Sequence, residues 1–127
     1  MREYLSLVKE EINIKDEKIQ LFIKQLDHYL DMLIKFTDWI KENIKDSKDD
    51  VSAACNDYLK VLGLVATAHA WVKVLEVSFK DYDNNKDFYE DKIQTANFYF
   101  NRILPRAESH YKTAVTGSKY IMDYKFN

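Results

Sequence analysis

The feature that most constrains this chain is a run of 12 uncharged residues, 61–72, bounded by Lys60 and Lys73. Charged residues make up 31% of the sequence, so a run of this length is unusual for the chain. The wider segment 54–71 is apolar nearly all round a helix, and such a helix is buried on several sides. We therefore predict that it is the central element of the fold. A membrane span needs roughly 20 apolar residues, so we predict no membrane span.

Length and composition predict a single globular domain over residues 1–127. Hydrophobic residues make up 46% of the 127 residues, enough to form a core. The chain has only two glycines and one proline, which favours long helices over tight turns. The net charge of −2, with no basic face, disfavours a nucleic-acid partner. An acidic N-terminus without an apolar leader, together with the single Cys55, leads us to expect a cytoplasmic protein.

Three long segments carry apolar residues at the 3-4 spacing of an amphipathic helix. Their stripes are Ile19, Phe22, Leu26, Tyr29, Leu33, Phe36 and Ile40; Ala54, Tyr58, Val61, Val65, Ala68, Val72, Leu75 and Phe79; and Tyr89, Ile93, Ala96, Phe100, Ile103, Ala107, His110 and Ala114. Short polar loops separate the segments, and short loops join antiparallel neighbours. The fold class that this pattern predicts is all-α: an antiparallel up-down helical bundle of three long helices plus a short fourth helix.

Helix starts are predicted at three acidic positions. Asp16 is the expected N-cap of the first long helix, and Asp49 or Asp50 that of the second, since their side-chain oxygens accept hydrogen bonds from free amides. Asp87, with Glu90 three residues later, forms the pattern of a capping box at the start of the third. The polar segment 81–86 between the last two helices is predicted to be a turn.

Glycine and proline positions predict local departures from straight helices. Gly63 costs about 1 kcal/mol inside a helix, so we expect a close neighbour to pack against it. Pro105 lacks the amide that would bond to the Asn101 carbonyl, so the third helix is expected to bend there. Gly117 is the expected C′ residue that ends this helix. Short amphipathic elements are predicted around Leu5, Val8 and Ile12 and over residues 120–126.

Few residues are arranged for chemistry. His28, His69 and His110 lie on three different helices, and no Glu-x-x-His pair of the kind that holds two metal ions is present. We interpret His69 as a buried histidine with one hydrogen bond and Cys55 as a small core residue. Neither has an obvious base or nucleophile as its partner. We predict no catalytic residue, no cofactor-binding residue and no metal ligand in this chain.

Aromatic residues give the only hint of a binding surface. Phe98, Tyr99 and Phe100 are consecutive, so they cannot share one face of a helix and at least one must point away from the core. Either the core is thick enough to use several sides of this helix, or an aromatic face contacts another domain or subunit. The residues of that possible interaction surface are Phe98, Tyr99, Tyr111 and Tyr120.

Three sequence segments resemble the C-terminal extension domain of acyl-CoA dehydrogenases. They are Tyr58-Leu59-Lys60-Val61-Leu62-Gly63-Leu64-Val65 with Ala70-Trp71; Phe88-Tyr89-x-x-Lys92-Ile93-x-Thr95-Ala96-x-Phe98-Tyr99-Phe100 through Leu104-Pro105; and Gly117-Ser118-x-x-Ile121-Met122. The likeness covers residues 51–123, and the first helix follows it only in its apolar pattern. This sequence has Lys, Asn and Tyr at positions where the family is commonly rich in alanine. The branch that it resembles includes the 3-methylmercaptopropionyl-CoA dehydrogenases.

The resemblance implies a role without chemistry for this chain. In the family, the parent enzyme removes two hydrogens from an acyl-CoA thioester, forms a 2,3-enoyl-CoA and passes a hydride to FAD. The catalytic glutamate and the flavin-binding segments belong to preceding domains, so no catalytic or cofactor residue is transferred to this sequence. By resemblance, the domain packs on the catalytic core or at a subunit interface. Its expected partners are the remaining domains of such an enzyme or a second copy of itself. The alternative is a stand-alone helical interaction or scaffold module without enzymatic activity.

Overall fold

The computed structural model describes Leu7 and residues 19–125. Within residues 19–125 five α-helices follow one another: α1 (Gln20–Asn43), α2 (Lys48–Lys80), α3 (Lys86–Phe98), α4 (Arg106–Ala114) and α5 (Lys119–Met122). A 3-10 turn, Tyr82–Asn84, precedes α3, and a π-helical segment, Tyr99–Ile103, follows it. The all-α bundle is confirmed, with α3, the π segment and α4 forming the third long arm. The predicted Asp16 cap and the predicted segment of Leu5, Val8 and Ile12 lie outside the described residues.

Helix α2 is the central element, as the uncharged run predicts, because it packs against α1, α3 and α4. The predicted stripes of α1 and α2 form most of the core. Its fully buried side chains include Leu26, Leu30, Leu33, Phe36, Val61, Val65, Leu75, Phe100 and Leu104. The Phe36 ring meets Tyr58 edge-on at a centroid distance of 5.1 Å and Tyr111 at 5.3 Å, so it joins three helices. Aromatic contacts therefore close the core where α1, α2 and α4 converge.

The third stripe departs from its prediction at the π-helical segment. The Leu104 amide donates to the Tyr99 carbonyl at 2.9 Å, five residues back, and this wider turn precedes the proline that lacks an amide. Tyr99 and Leu104 are buried although the predicted stripe omits them, and Ile103 is only half-buried, whereas Ala107 and Ala114 after the segment are buried as predicted. The predicted interruption at Pro105 is confirmed, since α4 begins at Arg106.

The helix starts differ from the predicted caps. Ser47, not Asp49 or Asp50, occupies the N-cap position of α2, so both aspartates lie in the first turn. Asn85 caps α3 instead of Asp87, with its side-chain oxygen accepting from the Phe88 amide at 3.3 Å. No capping box forms there, because the Glu90 carboxylate accepts from the Tyr82 hydroxyl at 3.1 Å. The predicted turn over residues 81–86 is confirmed, except that it ends at Asn85 because α3 begins at Lys86.

Asp50 ties the start of α2 to the segment after α4. Its carboxylate accepts hydrogen bonds from the Ser47 hydroxyl, from the Ser118 amide at 2.6 Å and from the Ser118 hydroxyl at 2.7 Å. Gly117 lies directly beside it with φ +80°, and a Cβ on Gly117 would approach Asp50 Oδ1 to 2.8 Å. The chain thus turns away from α4 through a glycine that both the backbone angle and the space require. The helix ends one residue earlier than the predicted C′ role of Gly117 requires, since Val115 is the C-cap and Gly117 follows it by two residues.

Acid is expected to weaken the fold through Asp50. Its hydrogen bonds to Ser47 and then Ser118 lower the pKa of this carboxyl below its ordinary value of 3.8. A lowered folded-state pKa contributes stability that is present above the unfolded-state pKa and is lost as pH falls through the folded-state pKa. The urea midpoint of unfolding should decrease as the pH is lowered from neutral into the acid range. We expect this decrease to be smaller in Asp50→Asn than in the parent chain. Asp49→Asn, which removes an exposed neighbouring carboxylate, is the control and should leave the larger part of that fall in place.

Candidate interaction surface

The side of α2 that faces away from the bundle carries an exposed apolar stripe. We call it the outer face, and its residues are Leu59, Gly63, Ala66, Ala70, Val74 and Val77. Spacings of three and four residues put them on one side of the helix. The exposed fractions are 65% for Leu59, 36% for Val74 and 50% for Val77. The bundle therefore covers α2 on several sides, as predicted, and leaves this side exposed.

Lysines border the outer face. Within residues 59–80 of α2 the exposed charged side chains are Lys60, Lys73 and Lys80, whereas Glu76 is half-buried. Asp57, one turn before Lys60, faces the bundle, and its carboxylate contacts His110. The long outward side of this helix is therefore apolar along its centre, with lysines at its margins.

A groove extends the outer face onto α3. Val74 and Val77 line it together with Phe88 and Lys92, and its volume is about 420 Å³. The Phe88 ring is half exposed, and the Lys92 ammonium lies 5.1 Å from its centroid, within cation–π range. We call this the Phe88 groove. Its lining residues are Lys73, Val74, Val77, Ser78, Phe88, Tyr89 and Lys92, which include two cations and no carboxylate.

Gly63 has no close neighbour from the described part of the chain. A Cβ built on it would meet nothing within 4 Å. The expectation that a backbone or a large side chain packs against it is therefore wrong within this domain. A second groove, of about 430 Å³, opens beside Gly63 and is floored by Leu64, Tyr99 and Ile103. The glycine lowers the stability of α2 without relieving any clash inside the bundle.

Gly63→Ala is expected to stabilise the isolated chain. Glycine inside a helix is about 1 kcal/mol less favourable than alanine, and the added methyl group enters open space. The urea midpoint of unfolding, followed by circular dichroism, should rise with an unchanged denaturant slope. A fall in the midpoint would show that a neighbour packs against this position.

Of the four aromatic residues predicted as a binding surface, one is buried, one is half-buried and two are exposed. Tyr99 is 7% exposed, and its hydroxyl donates to the Leu64 carbonyl, an interaction that joins α2 to the π segment. Burial raises the pKa of Tyr99. Tyr111 is half-buried against Phe36. Phe98 and Tyr120 are 58% and 76% exposed. Tyr99 and Tyr111 therefore serve the core, and partner binding by Phe98 and Tyr120 stays a prediction.

The histidines make contacts that the sequence did not indicate. His28 on α1 lies 3.1 Å from the Glu108 carboxylate, and His110 lies 2.9 Å from that of Asp57. Each pair joins α4 to a different helix, so both histidines have structural roles. His69 is half-buried and has an interaction partner. Among the residues described here, no three His, Cys, Asp or Glu side chains are close enough to hold a metal ion.

Cys55 corrects another prediction from the sequence. It is exposed near the start of α2, one turn before Leu59, and is not a core residue. The neighbouring alanines predict a buried position for Cys55, but its side chain is exposed to solvent. The preceding Ala54, which is fully buried, holds the core position instead.

The family model described as acetyl-CoA dehydrogenase C-terminal like matches residues 4–125. The chain belongs to this family. The acyl-CoA dehydrogenase C-terminal resemblance is thereby confirmed at the level of the family, and the match includes the first helix. No curated protein and no solved structure matches the chain. In this acetyl-CoA dehydrogenase C-terminal-like domain, the outer face and the Phe88 groove are exposed apolar surfaces. A contact with another protein would be sought there first.

In this acetyl-CoA dehydrogenase C-terminal-like domain, α2 is apolar enough to raise the question of whether it could span a membrane. Lys48–Lys80 is long and apolar enough, by length and composition, to cross one, and 33% of its most apolar window is buried inside the bundle. The core helix of a globular protein passes the same test. Val61, Val65, Ala68 and Val72 are indeed packed in the core. The absence of a membrane span stays a prediction.

Proposed function

We propose that this chain is the non-catalytic C-terminal helical domain of an FAD-dependent acyl-CoA dehydrogenase, cytoplasmic, whose product is a 2,3-enoyl-CoA. The observation that carries the proposal is the family match over residues 4–125. Its resemblance to the branch with 3-methylmercaptopropionyl-CoA dehydrogenases suggests the kind of parent enzyme. FAD and the catalytic glutamate would be held by the rest of that enzyme.

The role proposed for the domain is packing on the catalytic core or at a subunit interface. Two features support it. The described residues contain no assembled cluster of metal ligands, and the histidines of α1 and α4 are engaged in contacts between helices. The central helix carries an apolar outer face that the bundle leaves uncovered. Exposed apolar residues that share one face of a helix are a common feature of protein contacts.

Immunoprecipitation from the source cells tests the proposal. An antibody against this chain should recover a polypeptide, or a complex, several times heavier than 15.1 kDa. The precipitate should release FAD on acid treatment and reduce an electron-acceptor dye when acyl-CoA thioesters are added. A band near the mass of this chain, without flavin or dye reduction, would contradict the proposal and favour the stand-alone interaction module.

A further inference from the structure

We propose that a groove between α2 and the third arm binds a phosphate monoester that carries an apolar organic group. It is the groove of about 430 Å³ that opens beside Gly63, and we call it the Gly63 groove. Its lining residues come from α2, the π-helical segment and α4 alone. The inference follows from the charge, the size and the local backbone of this groove, and it does not depend on the proposed function.

Two cations stand on opposite sides of the Gly63 groove. His110 on α4 contacts Asp57 on α2 at 2.9 Å. One helical turn from this contact, Arg106 on α4 lies across the groove from Lys60 on α2, and both side chains line it. An anion between them would meet one cation from each helix.

No carboxylate of the described chain neutralises these two cations. Neither Lys60 nor Arg106 forms an ion pair within residues 19–125. Residues 58–75 of α2 and residues 92–107 of the third arm, which pack together around the groove, contain no Asp or Glu. The groove therefore has two positive charges available for a ligand.

The acidic residues closest in sequence are engaged elsewhere. The Asp57 carboxylate contacts the His110 ring, and its side chain is only 20% exposed. Glu108 faces α1 instead of the groove, because its carboxylate lies 3.1 Å from His28. Neither carboxylate is among the groups that line the Gly63 groove.

The size of the groove fits a small organic molecule. From Lys60 to Thr67 its wall on α2 covers seven residues, about 10 Å at 1.5 Å per residue. Small-molecule sites commonly have volumes of about 300–1,000 Å³ and are largely apolar with a few polar groups. Leu64 and Ile103, both half-buried, form an apolar floor between the cations. A ligand can therefore lay an apolar group on this floor while its anion contacts the border.

Two departures from a regular α-helix coincide at the groove. Gly63 makes α2 less stable than alanine would, although no atom of the described chain lies within 4 Å of its Cβ position. Tyr99 and Ile103, the first and last residues of the π-helical segment, line the groove from the third arm. Such π-helical turns occur frequently at functional sites. Features that locally oppose regular structure are expected where a chain binds a ligand.

The two cations favour a phosphate monoester over a carboxylate. A phosphate monoester carries a charge of about −1.5 to −2 at pH 7, which matches Lys60 and Arg106 together, whereas a carboxylate carries only one negative charge. The Arg106 guanidinium can donate two parallel hydrogen bonds to phosphate oxygens, and the Lys60 ammonium can neutralise the remaining charge.

The test is a titration of the full ¹⁵N-labelled chain with phenyl phosphate. The comparison ligands are inorganic phosphate, which lacks the apolar group, and phenyltrimethylammonium, which reverses the charge. We expect phenyl phosphate to bind at least about tenfold more tightly than either, since only this ligand satisfies both the cations and the apolar floor. The amide shift changes should centre on Gly63, Leu64, Thr67 and Ile103.

Two exposed arginines of the third arm supply a matched pair of variants. Arg106 lines the Gly63 groove, whereas Arg102, one turn earlier, does not. Arg106→Gln should weaken phenyl phosphate binding by about tenfold or more, since it removes a hydrogen-bonding cation. Arg102→Gln should leave the affinity unchanged. Gly63→Leu, which puts a side chain at the groove, should abolish binding while circular dichroism shows an intact fold.

Three results would overturn the proposal. They are the absence of a saturable shift change with phenyl phosphate, equal affinity for phenyl phosphate and inorganic phosphate, and equal weakening by Arg102→Gln and Arg106→Gln. Because the titration uses the purified chain alone, its failure is distinct from failure to recover a flavoprotein by immunoprecipitation.

Vesicles distinguish the two sources of a phosphate monoester with an apolar group, a lipid headgroup and a soluble compound. Co-sedimentation with phosphatidic acid vesicles but not with phosphatidylcholine vesicles, lost in Arg106→Gln and kept in Arg102→Gln, would assign the site to the headgroup. Binding of phenyl phosphate without co-sedimentation would assign it to a soluble phosphate monoester. Either result, with the expected titration, supports the site.

Discussion

Phe36→Ala should cost about 3–5 kcal/mol of unfolding free energy, the usual range for a large aromatic residue removed from a core. Phe36 is fully buried, and its ring contacts those of Trp39, Tyr58 and Tyr111. The loss therefore affects α1, α2 and α4 together. Domains of this size are stabilised by only about 5–15 kcal/mol, so we expect the variant to unfold on mild heating. Urea unfolding followed by circular dichroism measures the change.

Phe98→Ala is the matched control for Phe36→Ala. The side chain is the same, but Phe98 is 58% exposed on the last turn of α3. Surface substitutions of this kind usually stay within about 0.5 kcal/mol of the parent. Equal losses in the two variants would contradict the assignment of Phe36 to the centre of the core.

Gly117→Ala should destabilise the fold by about 1–2 kcal/mol, because an L-residue pays that amount in the left-handed region. Gly117 has φ +80°, and the new Cβ would lie 2.8 Å from the Asp50 carboxylate unless that side chain moves. Displacing Asp50 would also weaken its bonds to Ser118. A lower urea midpoint, and faster amide exchange at Ser118, are the expected observations.

The chain has two glycines, so the same substitution at the other one provides a direct comparison. The same substitution at Gly63 should raise the midpoint, since that position has ordinary helical geometry and open space around it. Opposite signs at the two sites separate the effect of backbone conformation from the general benefit of alanine. A stabilised Gly117→Ala variant would show that the connection to Asp50 is not rigid.

The fold class could be predicted because apolar periodicity reports burial directly. Leu26, Leu33 and Phe36 on α1, and Val61 and Val65 on α2, lie in the core as their spacing predicts. That periodicity assumes an uninterrupted α-helix. At the π turn the predicted stripe includes Ile103, whereas Tyr99 and Leu104 are the buried residues there, and Ala107 and Ala114 beyond it are buried as predicted. Pro105 signalled an interruption, but a sequence does not specify how the backbone will accommodate it.

The surface was harder to predict than the core. Gly63 and Cys55 were expected to be crowded or buried because they lie in an apolar segment, yet both are exposed. Average apolarity does not say which side of a helix its neighbours leave open. The contacts of His28 with Glu108 and of His110 with Asp57 join residues 80 and 53 positions apart. Local spacing holds no information about such pairs, since they depend on how the helices align.

The exposed position of Cys55 has a consequence for handling the protein. Burial does not shield this thiol from oxidants, and the chain has no second cysteine with which to form an internal disulfide. In aerated buffer, oxidation can therefore join two chains covalently through Cys55, next to Leu59. A dimer formed in this way would vanish on reduction. Sizing with and without a reductant thus separates a covalent artefact from true association.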